Sequence, residues 1–100
     1  MPEKGTSLTK YRVFETERFS DDLKLLAKGV VDRIRRKLQD FVYPQLRDEP
    51  HHGLNIKRLQ NWQPPTWRYR IAEWRFFYEI DDAEGIVFMT AAHHRKDAYR

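Results

Sequence analysis

The sequence contains no cysteine and no long apolar segment. The absence of cysteine excludes disulfide bonds and thiolate chemistry. No apolar run approaches the roughly 18 residues that a membrane-spanning helix requires. The polar residues 1–10 lack the apolar region of a secretory signal. We therefore expect a cytoplasmic protein with no membrane partner.

The chain of 100 residues is long enough for one hydrophobic core but too short for a second independent unit. Hydrophobic residues make up 40% of it and aromatic residues 14%, a composition that excludes a disordered chain. We expect a single domain over residues 1–100, with residues 1–9 as a loose N-terminal lead. The net charge of +4 at pH 7 fits a nucleic-acid partner or an acidic protein partner and does not distinguish them.

Hydrophobic periodicity predicts an α+β fold, in which an N-terminal strand and a helical hairpin pack on a small, mostly antiparallel, twisted sheet. The predicted strands are Tyr11–Glu15, Ile56–Leu59, Trp67–Ile71, Trp74–Ile80 and Ile86–Ala92. A short helix ends at Gly29, and a longer amphipathic helix, with Phe41 and Val42 on its apolar face, ends before Pro44. A loop follows from Pro44 to Gly53. The last strand is almost continuously apolar, which indicates an interior strand buried on both faces.

Two of these strands alternate in period two and are separated only by Ala72 and Glu73, which predicts a tight hairpin. The hairpin pairs Ile71 with Trp74, Tyr69 with Phe76 and Trp67 with Tyr78. These pairs form a continuous aromatic and aliphatic surface, which we expect to be buried against the helices.

The same register places Arg68, Arg70 and Arg75 on the opposite face, with Arg70 directly facing Arg75. Like charges opposed on a strand pair are destabilising. Either this face is a solvated basic surface, or an anion binds between the guanidinium groups. Three guanidinium groups on a rigid sheet form a donor surface of the kind that recognises phosphate, and we favour this second interpretation.

The last strand leads into His93, His94, Arg95 and Tyr99, which bring imidazole, guanidinium and phenol groups to one end of the sheet. Cleavage of RNA without a metal needs a group that takes the 2′-OH proton, cations that stabilise the charged phosphorane, and an acid for the 5′-oxygen. Histidine can fill the first or third role and arginine the second. Because neighbouring residues of a strand point to opposite faces, only one of His93 and His94 can face the arginines.

Two further features carry less weight. The pairs His51–His52 and His93–His94 do not indicate zinc, because adjacent histidines point apart on a strand and no cysteine or usual ligand spacing accompanies them. We expect no metal and no other cofactor.

Trp62 is not part of the apolar face of the hairpin, and it is a candidate for stacking on an RNA base.

The order of these motifs resembles the RelE/ParE superfamily of toxins from bacterial toxin–antitoxin systems. The similarity runs from Tyr11 to Tyr99 and is carried by the two hairpin strands, the apolar strand and the final motif His94-Arg95-x-Asp97-x-Tyr99. It implies a RelE-like fold and a ribosome-associated, metal-independent endoribonuclease that cleaves translated mRNA, leaving a 2′,3′-cyclic phosphate and a 5′-hydroxyl. It also implies a cognate antitoxin, whose acidic segment would cover the basic sheet face.

The resemblance assigns roles to eight residues. The implied catalytic residues are Arg75, His94, Tyr99 and Arg70. The implied residues that bind RNA or phosphate are Arg68, Lys57, Arg58 and Arg95. Some members of the superfamily have lysine at the positions of Arg68 and Arg70. Because a guanidinium group has a pKa above about 12 and is a poor general base, proton transfer would shift to His94.

Two other departures from the superfamily bear on fold and function. Ala72 occupies a hairpin position that often holds glycine, and a positive φ there would cost alanine about 1 kcal/mol. The ParE branch shares the fold but inhibits DNA gyrase without being an enzyme. Members of that branch usually lack the full basic and terminal set, and gyrase inhibition is the alternative function for this chain.

Overall fold

Residues 10–94 are described by the computed structural model, and they form five strands, three α-helices and one π-helical turn. The strands are β1 (Arg12–Glu15), β2 (Ile56–Arg58), β3 (Trp67–Ile71), β4 (Trp74–Asp81) and β5 (Ile86–His94). The helices are α1 (Glu17–Lys24), α2 (Lys28–Lys37) and α3 (Tyr43–Asp48), with the π-helical turn Leu38–Val42 between α2 and α3. No helix within residues 10–94 has the length and apolar character needed to cross a membrane.

The five strands form one sheet in the order β1-β5-β4-β3-β2. Only β1 and β5 are parallel, and the other pairs are antiparallel. The predicted α+β fold is confirmed, and so is the interior position of β5. The expectation that β5 is buried on both faces is wrong, because its residues alternate between buried and half-buried positions. Half-buried Phe88, for example, contacts Phe14 of β1 at 5.8 Å between ring centroids, and Phe14 is 56% exposed.

The helices cover one face of the sheet, and the predicted hairpin register is confirmed there. Tyr69 pairs with Phe76 and Trp67 with Tyr78, and Phe76 packs 6.1 Å from Phe19 of α1 between ring centroids. Burial of such a large side chain contributes roughly 1.5–3 kcal/mol, so this register buries the apolar surface of the hairpin. We call the other side of the sheet, which the helices leave uncovered, the open face.

Helix α1 ends five residues earlier than predicted, at Lys24 rather than Gly29. The backbone N–H of Leu26 donates to the carbonyl oxygen of Leu23 in a tighter turn, and Ala27 has extended backbone angles. Leu25 is consequently 85% exposed. Gly29 lies inside α2 rather than at a helix end.

The prediction that the second helix ends before Pro44 is also wrong. The backbone N–H of Tyr43 donates to the carbonyl oxygen of Leu38, five residues earlier, and the chain continues directly into α3. Pro44 is tolerated because it stands in the first turn of α3, where a missing N–H removes no helical hydrogen bond. The additional residue in the π-helical turn rotates Phe41 outward, so this predicted core residue is 59% exposed.

A polar cluster ties the segment after α3 to the turn between β4 and β5. The imidazole of His51 lies 2.8 Å from the Glu49 carboxylate through Nδ1 and 3.0 Å from that of Asp82 through Nε2. Tyr11 donates from its hydroxyl to Asp82 at 2.6 Å, and this hydrogen bond, with burial and the Asp82 charge, raises the pKa of Tyr11 to about 12. Burial opposes protonation of His51, but its bonds to Glu49 and Asp82 outweigh burial and raise its pKa.

This cluster predicts a pH-dependent stability. A raised pKa in the folded state stabilises the protein below the unfolded value, near pH 6.5 for histidine, and the contribution is lost as pH rises through the folded value. His51→Gln should therefore lower the free energy of unfolding more at about pH 5.5 than at about pH 8.5. Urea unfolding at both pH values measures this, with exposed His52→Gln as the control. An equal loss at both pH values would contradict the charged interaction.

Candidate functional site

The register of the sheet assembles basic side chains from three strands on the open face. Arg70 of β3 lies opposite Arg75 of β4, as predicted. Lys57 of β2 lies opposite Arg68 of β3. Lys57, Arg68 and Arg70 line a shallow groove near the hairpin turn. Arg68, Arg70 and Arg75, which we call the arginine cluster, are thus held on hydrogen-bonded strands rather than on loops.

Two guanidinium nitrogens of the arginine cluster are buried without a hydrogen-bond acceptor. Arg68 Nε and Arg75 Nη1 have no acceptor among residues 10–94, although neither is open to solvent. Burial, and then the charges of Arg75 and Arg70, lower the pKa of Arg68 below its ordinary value, yet a guanidinium group stays protonated in proteins. Leaving a buried donor unpaired costs about 1–3 kcal/mol, and more for a charged group. The cluster therefore concentrates positive charge, and two of its buried donors are left unsatisfied within residues 10–94.

The structure places His93, and not His94, beside the arginine cluster. His93 lies opposite Arg75 in the β4–β5 register, and its ring is 5.1 Å from that of Phe77 on the open face. His94 lies opposite Trp74 and contacts its indole, with 5.1 Å between ring centroids. The sequence resemblance favoured His94 for this position, and the geometry corrects that orientation.

A β-bulge in β5 causes this orientation. Phe77 pairs with Ala91, whereas the next residue of β4, Tyr78, pairs with Met89, so Thr90 is an extra residue. The Thr90 hydroxyl donates to the Phe77 carbonyl oxygen at 3.2 Å, and the N–H of Ala92 donates to the Asp22 carboxylate of α1 at 2.9 Å. Hydrogen bonds from two elements therefore hold the bulge in place.

Of the remaining predicted residues, Arg58 is not brought to the arginine cluster. Arg58 lies opposite Trp67 in the register, and its guanidinium carbon is 5.5 Å from the centre of that indole. This cation–π contact keeps Arg58 on the side of the sheet that carries Trp67. Arg95 and Tyr99 lie outside the described residues. Within residues 10–94 no group of three or more histidine or acidic side chains is arranged to hold a metal ion.

Sequence reasoning named Trp62 as a candidate for base stacking but missed its aromatic neighbour on the open face, Phe77. Phe77 lies opposite Arg68, and Trp62 stacks against Phe77 with 6.1 Å between ring centroids and an interplanar angle of 12°. The alternation of β4 already assigned Phe77 to the face of Arg75. The position of Trp62 could not be inferred, because it depends on the path of the loop between β2 and β3.

Comparison with known proteins identifies the family. A model of the ParE toxin of type II toxin–antitoxin systems, parDE, matches residues 13–98. The chain belongs to this family. The protein is thus a toxin of the RelE/ParE superfamily, as the sequence motifs indicated. No curated protein matches the sequence of the toxin.

Solved structures support the fold of the toxin. A chain of the RelBE2 toxin–antitoxin complex from Mycobacterium tuberculosis is 24% identical with a TM-score of 0.67, over 86% of this chain and 99% of that one. A mutant of the Escherichia coli toxin RelE in the free state is 17% identical with a TM-score of 0.62, over 90% and 88% of the two chains. The RelB–RelE complex from Methanococcus jannaschii gives 20% identity and a TM-score of 0.59, over 85% and 93%.

The concentrated positive charge of the arginine cluster predicts that small polyanions stabilise the toxin. Tripolyphosphate should raise the melting temperature, because a ligand at about 100 times its Kd adds about 2.7 kcal/mol to the free energy of unfolding. Arg75→Ala should lose most of this increase. Arg36→Ala, which removes an exposed arginine of α2, should retain it. Equal increases in melting temperature in both variants would show that tripolyphosphate binds through the net charge of the toxin and not through the arginine cluster.

Proposed function

We propose that the toxin is an endoribonuclease that cleaves mRNA on the 70S ribosome in the cytoplasm, with protein side chains as the catalytic groups. The observation that carries this proposal is the pair of buried, unpaired guanidinium nitrogens of Arg68 and Arg75 on the same rigid face as the imidazole of His93. Movement of these guanidinium groups towards solvent would let a phosphodiester supply acceptors for those nitrogens, and the exposed Arg70 lies opposite Arg75 to receive it. Cleavage beside a bound phosphate needs a group that accepts and then donates a proton, and the imidazole of His93 can do both.

The proposed reaction is attack of the ribose 2′-oxygen on the adjacent phosphorus. The 2′-hydroxyl proton passes to His93, the bond between phosphorus and the 5′-oxygen breaks, and the 5′-oxygen receives a proton from the imidazolium. The products are a 2′,3′-cyclic phosphate and a 5′-hydroxyl. Arg75 donates to the non-bridging oxygens as negative charge develops on them, and the exposed groups of Arg70 and Lys57 bind neighbouring phosphates. Histidine serves better than the arginines as the base, because arginine does not release its proton.

Induction of the toxin in cells, with mapping of mRNA 5′ ends, tests this function. New cuts within translated reading frames are expected. Arg75→Ala should reduce cleavage at least about a hundredfold, or roughly 3 kcal/mol in the barrier, with little change in stability. Arg36→Ala, a charge-matched change on α2, should cleave at the wild-type rate. Wild-type toxicity without new cuts would contradict the nuclease function.

Inhibition of DNA gyrase is the second candidate, and the match to the ParE toxin model is the observation that favours it. An inhibitor of this kind would bind its target through the basic open face without cutting RNA. The same induced cells separate the two functions, because gyrase inhibition changes the supercoiling of a reporter plasmid while mRNA 5′ ends stay as they were.

The arginine cluster also indicates how an antitoxin would act. Acidic side chains of an antitoxin segment would satisfy the donors of Arg68 and Arg75 and cover the open face, and complementary charge would speed association. RelB partners are present in the similar complexes from M. tuberculosis and M. jannaschii. Co-induction of a neighbouring acidic reading frame should restore growth and co-purify with the toxin. The association should weaken with Arg75→Ala.

The position of His93 predicts which histidine sets the pH dependence of cleavage. His93→Gln should lower the rate and remove a pH dependence near neutrality, whereas His94→Gln should retain it, because His94 contacts Trp74 instead of the arginine cluster. Cleavage in a reconstituted translation reaction, measured across pH, provides the comparison. An active His93→Gln with an inactive His94→Gln would reverse the assignment. Full activity in both would move proton transfer to Lys57 or Tyr99.

A further inference from the structure

A second recess lies on the open face, next to the arginine cluster. Its lining includes Phe77 of β4 and Ala91 of β5. The loop between β2 and β3 contributes Trp62 to the lining, and α1 contributes Arg18. We call this recess the aromatic groove. The proposed ribonuclease mechanism uses His93 from this lining but assigns no role to Trp62, Phe77 or Arg18.

The loop that carries Trp62 is held in place by its own hydrogen bonds. The N–H of Leu59 donates to the carbonyl oxygen of Thr66 at 2.9 Å and closes the ends of the loop. The Thr66 hydroxyl donates to the carbonyl oxygen of Pro64 at 3.0 Å. These bonds hold Trp62 over Phe77, while 51% of the tryptophan surface stays exposed. An exposed indole held in this way is a preorganised stacking surface.

The aromatic groove borders the arginine cluster in the sheet register. Phe77 lies opposite Arg68 across β3 and β4, and His93 lies opposite Arg75 and also lines the groove. A nucleotide whose phosphate is bound by the arginine cluster therefore has its base within reach of Trp62. At the groove rim, Arg18 can donate to base carbonyl or ring nitrogen atoms, and Glu79 can accept from an amino group.

We propose that the aromatic groove binds one unpaired nucleobase of the RNA whose phosphate is held by the arginine cluster, with the base packed against Trp62 and Phe77. This inference rests on the proposed ribonuclease function. A base fits better than an apolar side chain, because the groove combines aromatic surface with charged groups at its rim and opens towards a phosphate-binding surface. Base–aromatic stacking is the usual way in which single-stranded RNA is held beside a basic surface.

Binding of a short RNA with matched abasic analogues tests the aromatic groove. The probe is a fluorescent RNA pentamer with 2′-O-methyl groups, which prevent cleavage, and an abasic residue is placed at each position in turn. For the wild-type toxin, one abasic position should weaken binding at least about fivefold, the lower limit of the stacking contribution of a base. Trp62→Ala should bind the intact pentamer as weakly as the wild type binds that analogue, and the abasic residue should then cause no further loss.

Two other variants complete the comparison. Trp62→Phe should restore most of the difference in affinity between the intact pentamer and the abasic analogue, because a phenyl ring can stack. Phe41→Ala, which removes an aromatic residue of similar exposure from the helical side, should behave as the wild type. Quenching of tryptophan fluorescence on addition of the intact pentamer should disappear in Trp62→Ala.

The outcomes separate this inference from the function on which it rests. If the toxin cleaves mRNA and binds the pentamer, but every abasic analogue binds equally well, the base site is wrong and the ribonuclease function stands. If the wild type neither binds the pentamer nor cleaves mRNA, both are wrong. If Trp62→Ala leaves RNA binding unchanged but weakens binding of the antitoxin, the groove is a protein-docking site and the proposal is overturned.

Discussion

The register of the β3–β4 hairpin is the constraint on which the rest of the structure depends. Because strand residues alternate between faces, burial of Tyr69 and Phe76 under the helices requires that Arg70 and Arg75 meet on the open face. A slip by one residue would bury the arginines and expose the aromatic rings. The register has a local cost, since Ala72 in the turn has a φ of +53°, which disfavours a residue with a Cβ by about 1 kcal/mol. Core burial exceeds that cost several-fold.

The parts of the fold that follow a regular period could be predicted from the sequence, and the irregular parts could not. The hairpin pairs were predictable because a two-residue turn between alternating strands leaves one register that places Trp67, Tyr69, Trp74, Phe76 and Tyr78 together on one face. The π-helical turn at Leu38–Val42 and the bulge at Thr90 each add one residue to an otherwise regular element. Neither added residue changes the apolar pattern of the sequence around it. Pro44, moreover, predicted a helix end at the place where the chain continues as helix.

The bulge shows how one irregular residue changes the chemistry of the site. In a regular strand, the buried residues Val87 and Met89 would place position 93 on the helical side and His94 on the open face. The extra residue Thr90 reverses this alternation, so His93 meets Arg75. The types of residue in the site were therefore predictable, whereas the histidine that belongs to it was not. Its selection depends on tertiary contacts such as the hydrogen bond that the N–H of Ala92 in β5 donates to the Asp22 carboxylate.

The arginine cluster links activity and inhibition through a single physical requirement. The fold alone does not determine which reaction or target the toxin has, because one scaffold can carry different sites. What distinguishes this site is the pair of unsatisfied buried donors on Arg68 and Arg75, which a phosphate or a carboxylate could satisfy once the two side chains turn towards it. An RNA substrate and an acidic antitoxin segment would thus compete for the same nitrogens. Repulsion between Arg70 and Arg75 would raise the affinity for either, because whichever anion binds also relieves the like-charge contact.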